Sequence, residues 1–186
     1  MSTATVQSAR VVFTYEDLRQ LPEDRQRYEV IDGDLLVTPA PTTSHQRASA
    51  RLVYRLTDRL DEPGIATVLY APVDVIFSGQ DIVQPDIVAV RAENRRFITE
   101  RGIECAPDLV VEILSPSTSA RDRGVKAKLY ASYGVREYWL VDLASKRVEV
   151  RVLGVGGFES HATQGPGGTL ASTIFPFEMP IDDVFA

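Results

Sequence analysis

The chain has 186 residues, of which 44% are hydrophobic, and its 20 basic and 26 acidic residues give a net charge of −6. This length and apolar content fit one domain that buries a core without disulfides or a structural metal. The acidic balance repels a polyanion at long range, so any nucleic-acid binding must be local. The charge argues against a nucleic-acid enzyme without excluding one, because a bound divalent cation would offset part of it.

The single cysteine and the hydropathy pattern bear on location. Cys105 has no partner for an intrachain disulfide, which is typical of a reducing compartment. Residues 1–10 show no targeting pattern, and no apolar run approaches the ~20 residues that span a bilayer. We therefore expect a cytoplasmic protein with no membrane partner, consisting of a flexible arm at residues 1–10 and a single domain at residues 11–186.

A short helix and a hairpin are the first predicted elements. Thr14 and Asp17 have the spacing of a capping box, which predicts a helix that runs to Gln20 and stops before Pro22. Residues 28–31 and 35–37 have strand-like composition. They are joined by Asp32-Gly33, a pair that suits the positive φ angles of a tight hairpin turn.

A longer helix follows the turn at residues 39–41. Thr43 or Ser44 can cap it, and its apolar residues keep helical spacing as far as Pro63-Gly64. A basic stripe recurs at every fourth position of this helix: Arg47, Arg51, Arg55 and Arg59. The stripe could follow a nucleic-acid backbone, but a solvated face partly neutralised by Asp58 and Glu62 is the favoured interpretation.

The middle of the chain is predicted to be rich in strands. Strands are expected at residues 68–77 and 82–90, followed by a charged looped or helical stretch that reaches Gly102. Residues 109–114 form a nearly continuous apolar run, which is typical of a strand buried on both faces.

The C-terminal third is predicted to begin with a helix over residues 119–133, ended by Gly134. A buried strand at residues 137–143 follows it, and then an alternating strand at residues 146–153 near the sheet edge. The glycine-rich residues 154–168 are expected to be a loose stretch. The whole order of elements predicts a mixed sheet flanked by helices.

Two acids interrupt the apolar strands. Glu112 lies between Val111 and Ile113, and Asp86 precedes Ile87. Burying an unpaired carboxylate is costly, so each acid must meet a cation, a hydrogen-bond donor or a metal. A salt-bridged core acid is the simplest alternative. Since neighbouring strands lie ~4.8 Å apart, the two acids could instead share a hard cation that activates water for attack on a phosphoryl group.

Asp86 and Glu112, with Pro85 before the aspartate, resemble the PD-(D/E)XK nuclease superfamily. In that pattern a lysine stands at the next-but-one position after the second acid, but Leu114 occupies this position here. The missing lysine would have helped to orient or deprotonate the attacking water. The resemblance therefore implies that an active site needs a replacement from elsewhere in the chain.

A more specific resemblance covers nearly the whole chain. The segments that carry it, in order, are Tyr28-Glu29-Val30-Ile31-Asp32-Gly33, Pro39-Ala40-Pro41, His45-Gln46, Ala71-Pro72-Val73-Asp74-Val75, Val83-Gln84-Pro85-Asp86, residues 106–118, Asp122-Arg123, Lys126, Tyr130 and residues 134–139. In this ordered set the chain resembles the Uma-two family of restriction endonucleases. The resemblance implies an α/β, restriction-endonuclease-like fold: a mixed β-sheet flanked by α-helices, with an N-terminal hairpin and a C-terminal antiparallel extension.

The same resemblance implies that the lysine has moved to the following helix, at Lys126. Lys126 and Tyr130 are spaced to share a helix face, so the tyrosine could aim the lysine toward the sheet. A surface lysine or a simple charge partner of Glu112 is the alternative. Lys128 competes for the role, but it lies on a different and more solvated face.

The resulting hypothesis is a metal-dependent endonuclease that hydrolyses phosphodiester bonds, with DNA as the expected partner. Asp86, Glu112 and Lys126 are the candidate catalytic residues. The resemblance implies Mg²⁺, for which Mn²⁺ could substitute, held by Asp86 and Glu112 with Glu29 as a third carboxylate. The candidate phosphate or substrate contacts are His45, Gln46, Arg121 and Arg123. Superfamily analogy suggests a homodimer for cleavage of two strands.

Two other functions remain open. A non-catalytic nucleic-acid or protein binding module could retain the fold and its acids for stability, which Leu114 and the acidic balance favour. A two-carboxylate hydrolase such as a glycosidase ranks last, because no aromatic sugar platforms accompany the acids. The sequence shows no helix-turn-helix, no zinc-ligand spacing and no aromatic stacking platform, so no base specificity is assigned.

Overall fold

Two six-stranded sheets form the framework of the computed structural model, which describes residues 10–22, 24 and 26–186. Most of the expected arm, residues 1–9, lies outside the described residues. Arg10 is described, and its guanidinium contacts Asp34 Oδ1 at 2.9 Å. None of the described helices is long and apolar enough to cross a membrane.

The elements alternate along the chain as expected for an α/β protein. The strands are β1 Arg27–Ile31, β2 Asp34–Thr38, β3 Ala66–Tyr70, β4 Val75–Ser78, β5 Asp81–Val83, β6 Ile87–Arg91, β7 Ile98–Thr99, β8 Gly102–Ile103, β9 Leu109–Leu114, β10 Glu137–Asp142, β11 Arg147–Gly154, β12 Gly157–Gln164, β13 Thr169–Ala171 and β14 Glu178–Pro180. The α-helices are α1 Tyr15–Leu18, α2 Thr43–Leu56, α3 Ser119–Arg121, α4 Ala127–Ser132 and α5 Asp182–Phe185.

The larger sheet has the strand order β12-β11-β10-β9-β6-β3. Its central pair, β9 and β10, is parallel, and the other neighbours are antiparallel. Side chains on β9 alternate between two cores: Val111 packs with α2 and Trp139, whereas Val110 and Leu114 pack with α4 and the second sheet. The predicted strand buried on both faces is therefore confirmed, as is the mixed sheet flanked by helices.

The smaller sheet has the order β2-β1-β5-β4-β8-β7 and contains the predicted hairpin. Strands β1 and β2 pair in register from Ile31↔Asp34 onward. The turn residues Asp32 and Gly33 have φ angles of 51° and 75°, as the turn chemistry predicted.

The strands predicted at residues 68–77 and 82–90 are wrong as continuous elements. Each is divided between the two sheets: β3 and β6 pair in the larger one, while β4 and β5 pair in the smaller one. Pro72 and Pro85 lie in the two breaks. Because proline has no N–H to donate to a ladder, it ends the pairing and lets the chain pass from one sheet to the other.

The two N-terminal helices begin with side-chain caps. In α1, Thr14 N donates to Asp17 Oδ2 at 2.8 Å and Asp17 N donates to Thr14 Oγ1 at 3.4 Å, which confirms the capping box; the helix ends at Leu18, before the predicted Gln20. The predicted caps of α2, Thr43 and Ser44, are wrong. Thr42 caps the helix, because its extended backbone lets Oγ1 accept from His45 N at 3.3 Å.

The predicted helix over residues 119–133 is confirmed in extent but not in regularity. A π-helical turn, Asp122–Lys126, separates α3 from α4. Gly134 follows with a φ of 85°, the left-handed conformation expected of a residue that ends a helix. This helical segment connects β9 to the parallel strand β10 and covers the face of β9 that bears Glu112.

The C-terminal segment corrects two expectations. The glycine-rich residues 154–168 are mostly strand β12, because pairing with β11 outweighs the weak strand propensity of glycine. The basic stripe of α2 is held mainly by α5: Arg51 contacts the Asp183 carbonyl and Arg55 contacts its carboxylate at 2.8 Å. Arg59, which lies beyond the end of α2, pairs with Asp58 as expected.

Candidate active site

Asp86 lies one residue before β6, next to the central strand β9. Strand β6 pairs Ile87 with Val111, and the Asp86 Oδ2 accepts a hydrogen bond from Ile113 N at 2.8 Å. The aspartate side chain is 3% exposed. The break at Pro85 therefore turns a carboxylate toward the backbone of the strand that carries Glu112.

Two further donors hold the Asp86 carboxylate. Arg27 Nη1 donates to Oδ1 at 2.9 Å, and His45 Nε2 lies 3.0 Å from Oδ2. Burial alone would raise the pKa of Asp86, but the hydrogen bond and charge of His45, with the charge of Arg27 and the Ile113 N–H, outweigh it. The net effect is a pKa below the ordinary value, so Asp86 is ionised at neutral pH.

Glu112 projects from β9 into surroundings that are less polar than those of Asp86. Its Oε1 accepts hydrogen bonds from Lys126 Nζ at 2.8 Å and from Tyr130 Oη at 2.7 Å. Burial raises the pKa of Glu112 to about 8; Lys126 opposes this shift, whereas the charge of Asp86 adds to it. Among the described residues no donor bonds Glu112 Oε2.

Lys126 is a buried cation between two carboxylates. Its Nζ lies 2.7 Å from Glu29 Oε1 and 2.8 Å from Glu112 Oε1, and its side chain is 2% exposed. Burial lowers the pKa of Lys126, but the charges of Glu112 and Glu29 outweigh burial and raise it above the ordinary lysine value. The alternative of an ordinary surface lysine is therefore wrong, and the ammonium keeps its proton.

Glu29 contributes to this cluster from β1 in the smaller sheet. Its Oε1 also accepts from Gln84 N at 2.9 Å. Its Oε2 is buried and, within the described part of the chain, has no hydrogen-bond partner; Arg121 Nη2 lies 3.8 Å away. The third predicted carboxylate thus lies beside Lys126, with one oxygen unsatisfied.

One cavity of about 770 Å³ joins these groups. Its lining includes Arg27, Glu29, His45, Asp86, Glu112 and Lys126. Arg121 lines it as well, and its Nη2 donates to Thr38 Oγ1 at 2.6 Å. The cavity therefore brings together residues from both sheets and from two helical segments.

The structure does not bring every candidate to this cavity. Gln46 lines a neighbouring cavity instead. Arg123 Nη1 donates to Glu149 Oε2 at 2.6 Å and is not part of the cavity lining. Lys128 is exposed, in agreement with its expected solvated face. Arg123 and Gln46 thus lie outside the lining of the cavity that holds the acids, because sequence proximity does not fix the direction of a side chain.

Arg27 was missed by the sequence interpretation. It was passed over because it lies just before the residues recognised as a strand. Residues i and i+2 of a strand project to the same face, so Arg27 shares its side of β1 with Glu29. An arginine two positions before a buried acid in a strand was the available signal.

The carboxylate oxygens at the cavity are chemically suited to bind a hard divalent cation. Asp86 and Glu112 supply carboxylate oxygens at one cavity, the ligand type that Mg²⁺ prefers. Glu112 Oε2 and the buried, unsatisfied Oε2 of Glu29 are further oxygen donors. Within residues 10–22, 24 and 26–186, however, no three or more His, Cys, Asp or Glu side chains are grouped as a metal-binding cluster.

Comparison with known proteins gives a family and a fold. Residues 15–182 match the Uma2 family, described as “Putative restriction endonuclease”. The uncharacterized protein slr1290 of Synechocystis sp. is 32% identical over 142 residues, which cover 73% of this chain and 70% of that protein. The crystal structure of a putative nuclease belonging to DUF820 from Anabaena variabilis superposes with a TM-score of 0.76 at 22% identity, over 93% of this chain and 97% of the other. These matches confirm the expected α/β fold, and the chain belongs to the Uma2 family.

Proposed function

We propose that this protein is a Mg²⁺-dependent endonuclease that hydrolyses phosphodiester bonds in DNA. The observation that carries the proposal is that Asp86 and Glu112 line one cavity. The buried Lys126 is bonded to Glu112 there. Membership of the Uma2 family supports the same activity. Asp86 and Glu112 would hold the cation, with Glu29 contributing from the side of Lys126, and Mn²⁺ would substitute for Mg²⁺.

The proposed roles follow from the electrostatics of each side chain. The cation would polarise a phosphoryl oxygen and activate a water molecule. Lys126 holds its proton, so its proposed role is to orient Glu112 and to donate hydrogen bonds rather than to act as a base. Tyr130 fixes the same Glu112 oxygen from the following helical turn.

Cations in the cavity can attract a phosphate locally although the net charge of the chain is negative. The cations Arg27 and Arg121 line the cavity within an acidic chain, and the His45 imidazole lines it beside them. Arginine can grip phosphate oxygens through paired donors. These groups would hold a phosphate near the acids even though the protein as a whole repels a polyanion at long range.

A non-catalytic binding module is the second candidate. The observation that favours it is that donors already hold the acids: Arg27, His45 and the Ile113 N–H bond Asp86, and Lys126 bonds Glu112. Paired in this way, the acids could serve only stability. On this view metal ions bind nowhere in the cavity and no nucleic acid is cut.

Nicking of supercoiled plasmid in Mg²⁺ or Mn²⁺ tests the two candidates. The variants are Asp86→Asn, Glu112→Gln and Lys126→Met, which keep the side-chain volume nearly unchanged. Loss of an essential metal ligand is expected to reduce nicking at least ~100-fold, since a metal site supplies several kcal/mol of transition-state stabilisation. Lys126→Met should lower the rate without abolishing metal binding.

Two matched controls separate chemistry from folding. Asp108→Asn alters another buried acid, which pairs with Arg91 at 3.2 Å outside the cavity, and Lys128→Met alters an exposed lysine of the same helix. Both should nick like wild type. If wild-type protein, free of contaminating nuclease, cuts no single-stranded, double-stranded or RNA substrate in either metal, the binding-module candidate replaces the endonuclease.

We also propose that residues 11–186 act as one domain and that the active form is a homodimer. Side chains from both sheets share one core, in which Val75 and Val83 pack with Val110 and Leu140. Sedimentation equilibrium tests the dimer. A monomer that nicks plasmid at full rate would contradict it.

A further inference from the structure

Two exposed tyrosines lie beside the candidate active site. Tyr54, on α2, is 67% exposed and Tyr70, at the end of β3, is 58% exposed. Both line a second cavity of about 430 Å³, a size within the usual ~300–1,000 Å³ of small-molecule pockets. The two rings belong to separate elements, α2 and β3, so no local pattern in the sequence relates them.

The second cavity adjoins the first. Arg27, His45 and Asp86 line both of them. A nucleic-acid strand whose phosphate lies beside Arg27 and His45 can therefore reach the second cavity without leaving these two side chains. The rest of the lining is small and mixed, with Ala50 and Val53 as apolar contacts.

Polar groups at the second cavity could contact the edge of a base. Gln46 and Ser49 line it, and a glutamine amide both donates and accepts hydrogen bonds. The Arg55 guanidinium carbon lies 5.8 Å from the centre of the Tyr54 ring. The cavity thus combines two exposed tyrosines with an amide, while Arg55, which pairs with Asp183, lies over the Tyr54 ring outside the cavity lining.

We propose that this second cavity binds an unpaired base of the nucleic-acid substrate by stacking on Tyr54 and Tyr70. The inference rests on the proposed function and deepens it: the substrate presents an unpaired base next to the phosphodiester that is cut. Exposed aromatic faces beside cations are the usual means by which proteins bind single strands, since every base has a π-face. A fully paired duplex keeps its bases stacked inside the helix and leaves this cavity empty.

Fluorescence anisotropy in EDTA tests the proposal without cleavage. The probes are a labelled 12-nucleotide DNA strand, the same strand with abasic sugars at its central positions, and a hairpin-closed duplex. Tyr54→Ala and Tyr70→Ala should each weaken binding of the normal strand by about 5- to 150-fold, the usual range for loss of one base-aromatic stack. Neither variant should change the affinity for the abasic strand or for the duplex.

Conservative variants and a matched control sharpen the test. Tyr54→Phe and Tyr70→Phe keep the ring and should bind within about twofold of wild type. Tyr133→Ala removes an exposed tyrosine that stacks on Phe77 outside the second cavity, and it should leave strand binding unchanged.

Three results would overturn the inference: alanine variants that bind the normal strand as wild type does, equal losses on normal and abasic strands, or wild type that binds no single strand. Failure of the proposed nuclease gives a different pattern. In that case stacking-dependent binding remains while plasmid nicking is absent in Mg²⁺ and Mn²⁺.

Discussion

Asp86 and Glu112 line one cavity from neighbouring strands, yet their surroundings are opposite. Three donors hold Asp86, and its pKa falls below the ordinary value. Glu112 meets one cation and one hydroxyl among apolar neighbours, and burial raises its pKa to about 8. The difference shows that the donors around a buried acid, rather than its depth alone, decide whether it is charged.

The largest expected effect comes from removing the cation on the Glu112 side. Lys126→Met keeps the packing but leaves Glu29 and Glu112 buried without their shared ammonium. Breaking a buried ion pair from one side costs about 3–5 kcal/mol of unfolding free energy. Thermal and urea unfolding in EDTA would measure this loss of stability. Each kcal/mol lost should lower the melting temperature by roughly 2–4 °C for a chain of this size.

Lys128→Met is the control for this change. Because Lys128 is exposed, its replacement should stay within about 0.5 kcal/mol of wild type. Equal stability of the two methionine variants would show that the two carboxylates need no cation, and the contrast between Glu112 and Asp86 would lose its basis.

A smaller effect is expected on the Asp86 side. Asp86→Asn keeps an oxygen for the Ile113 N–H but leaves Arg27, whose side chain is 18% exposed, without its counter-charge. We expect a loss of about 1–3 kcal/mol, measured by urea unfolding. Saturating Mg²⁺, at about 100 times its Kd, should stabilise wild type by about 2.7 kcal/mol and this variant not at all.

Asp108→Asn again serves as the comparison. It removes a buried carboxylate from Arg91 and should be destabilised to a similar degree, yet Mg²⁺ should still stabilise it. A stabilisation by Mg²⁺ that survives in Asp86→Asn, or disappears in Asp108→Asn, would contradict the proposal that Asp86 is a metal ligand.

Taken per pH unit, the smallest effect is the change of stability with pH in the metal-free protein. The folded-state pKa of Glu112 is raised from 4.5 to about 8, so the folded state binds this proton more tightly than the unfolded state. Its contribution to stability is complete below the unfolded value and is lost as pH rises toward 8. The slope cannot exceed about 1.4 kcal/mol per pH unit for one proton.

Glu112→Gln should remove the fall in stability between pH 5 and 8. Thermal unfolding with EDTA measures this. Glu149→Gln is the matched control: burial would raise the Glu149 pKa, but hydrogen bonds from Arg151 and Arg123 outweigh burial and lower it, so Glu149 titrates below this window. Stability that rises from pH 5 to 8 in wild type, or a slope retained in Glu112→Gln, would refute the raised pKa.

Sequence patterns predicted the elements that depend on neighbouring residues. The capping box at Thr14, the turn at Asp32-Gly33 and the buried strand β9 all depend on neighbouring residues, and the structure has all three. The acid positions were also visible, because a carboxylate in an apolar run is anomalous wherever the strand lies.

Long-range contacts account for what was missed. Arg27 and His45 reach Asp86 across 59 and 41 residues of chain, and no periodicity encodes either contact. The division of residues 68–77 and 82–90 between two sheets depends on which strands are available as partners. Tyr54 and Tyr70 line one cavity only because α2 packs against β3.

The π-helical turn Asp122–Lys126 has a consequence for changes in chain length. It lies immediately before α4 and ends at Lys126. Deleting one residue within it would restore α-helical winding, and the residues on either side would rotate by about 100° relative to one another. The lysine would then leave Glu112 and Glu29 even if the helix re-formed, so a deletion in this segment should cost the protein both the stability that the buried ammonium supplies and the candidate active site.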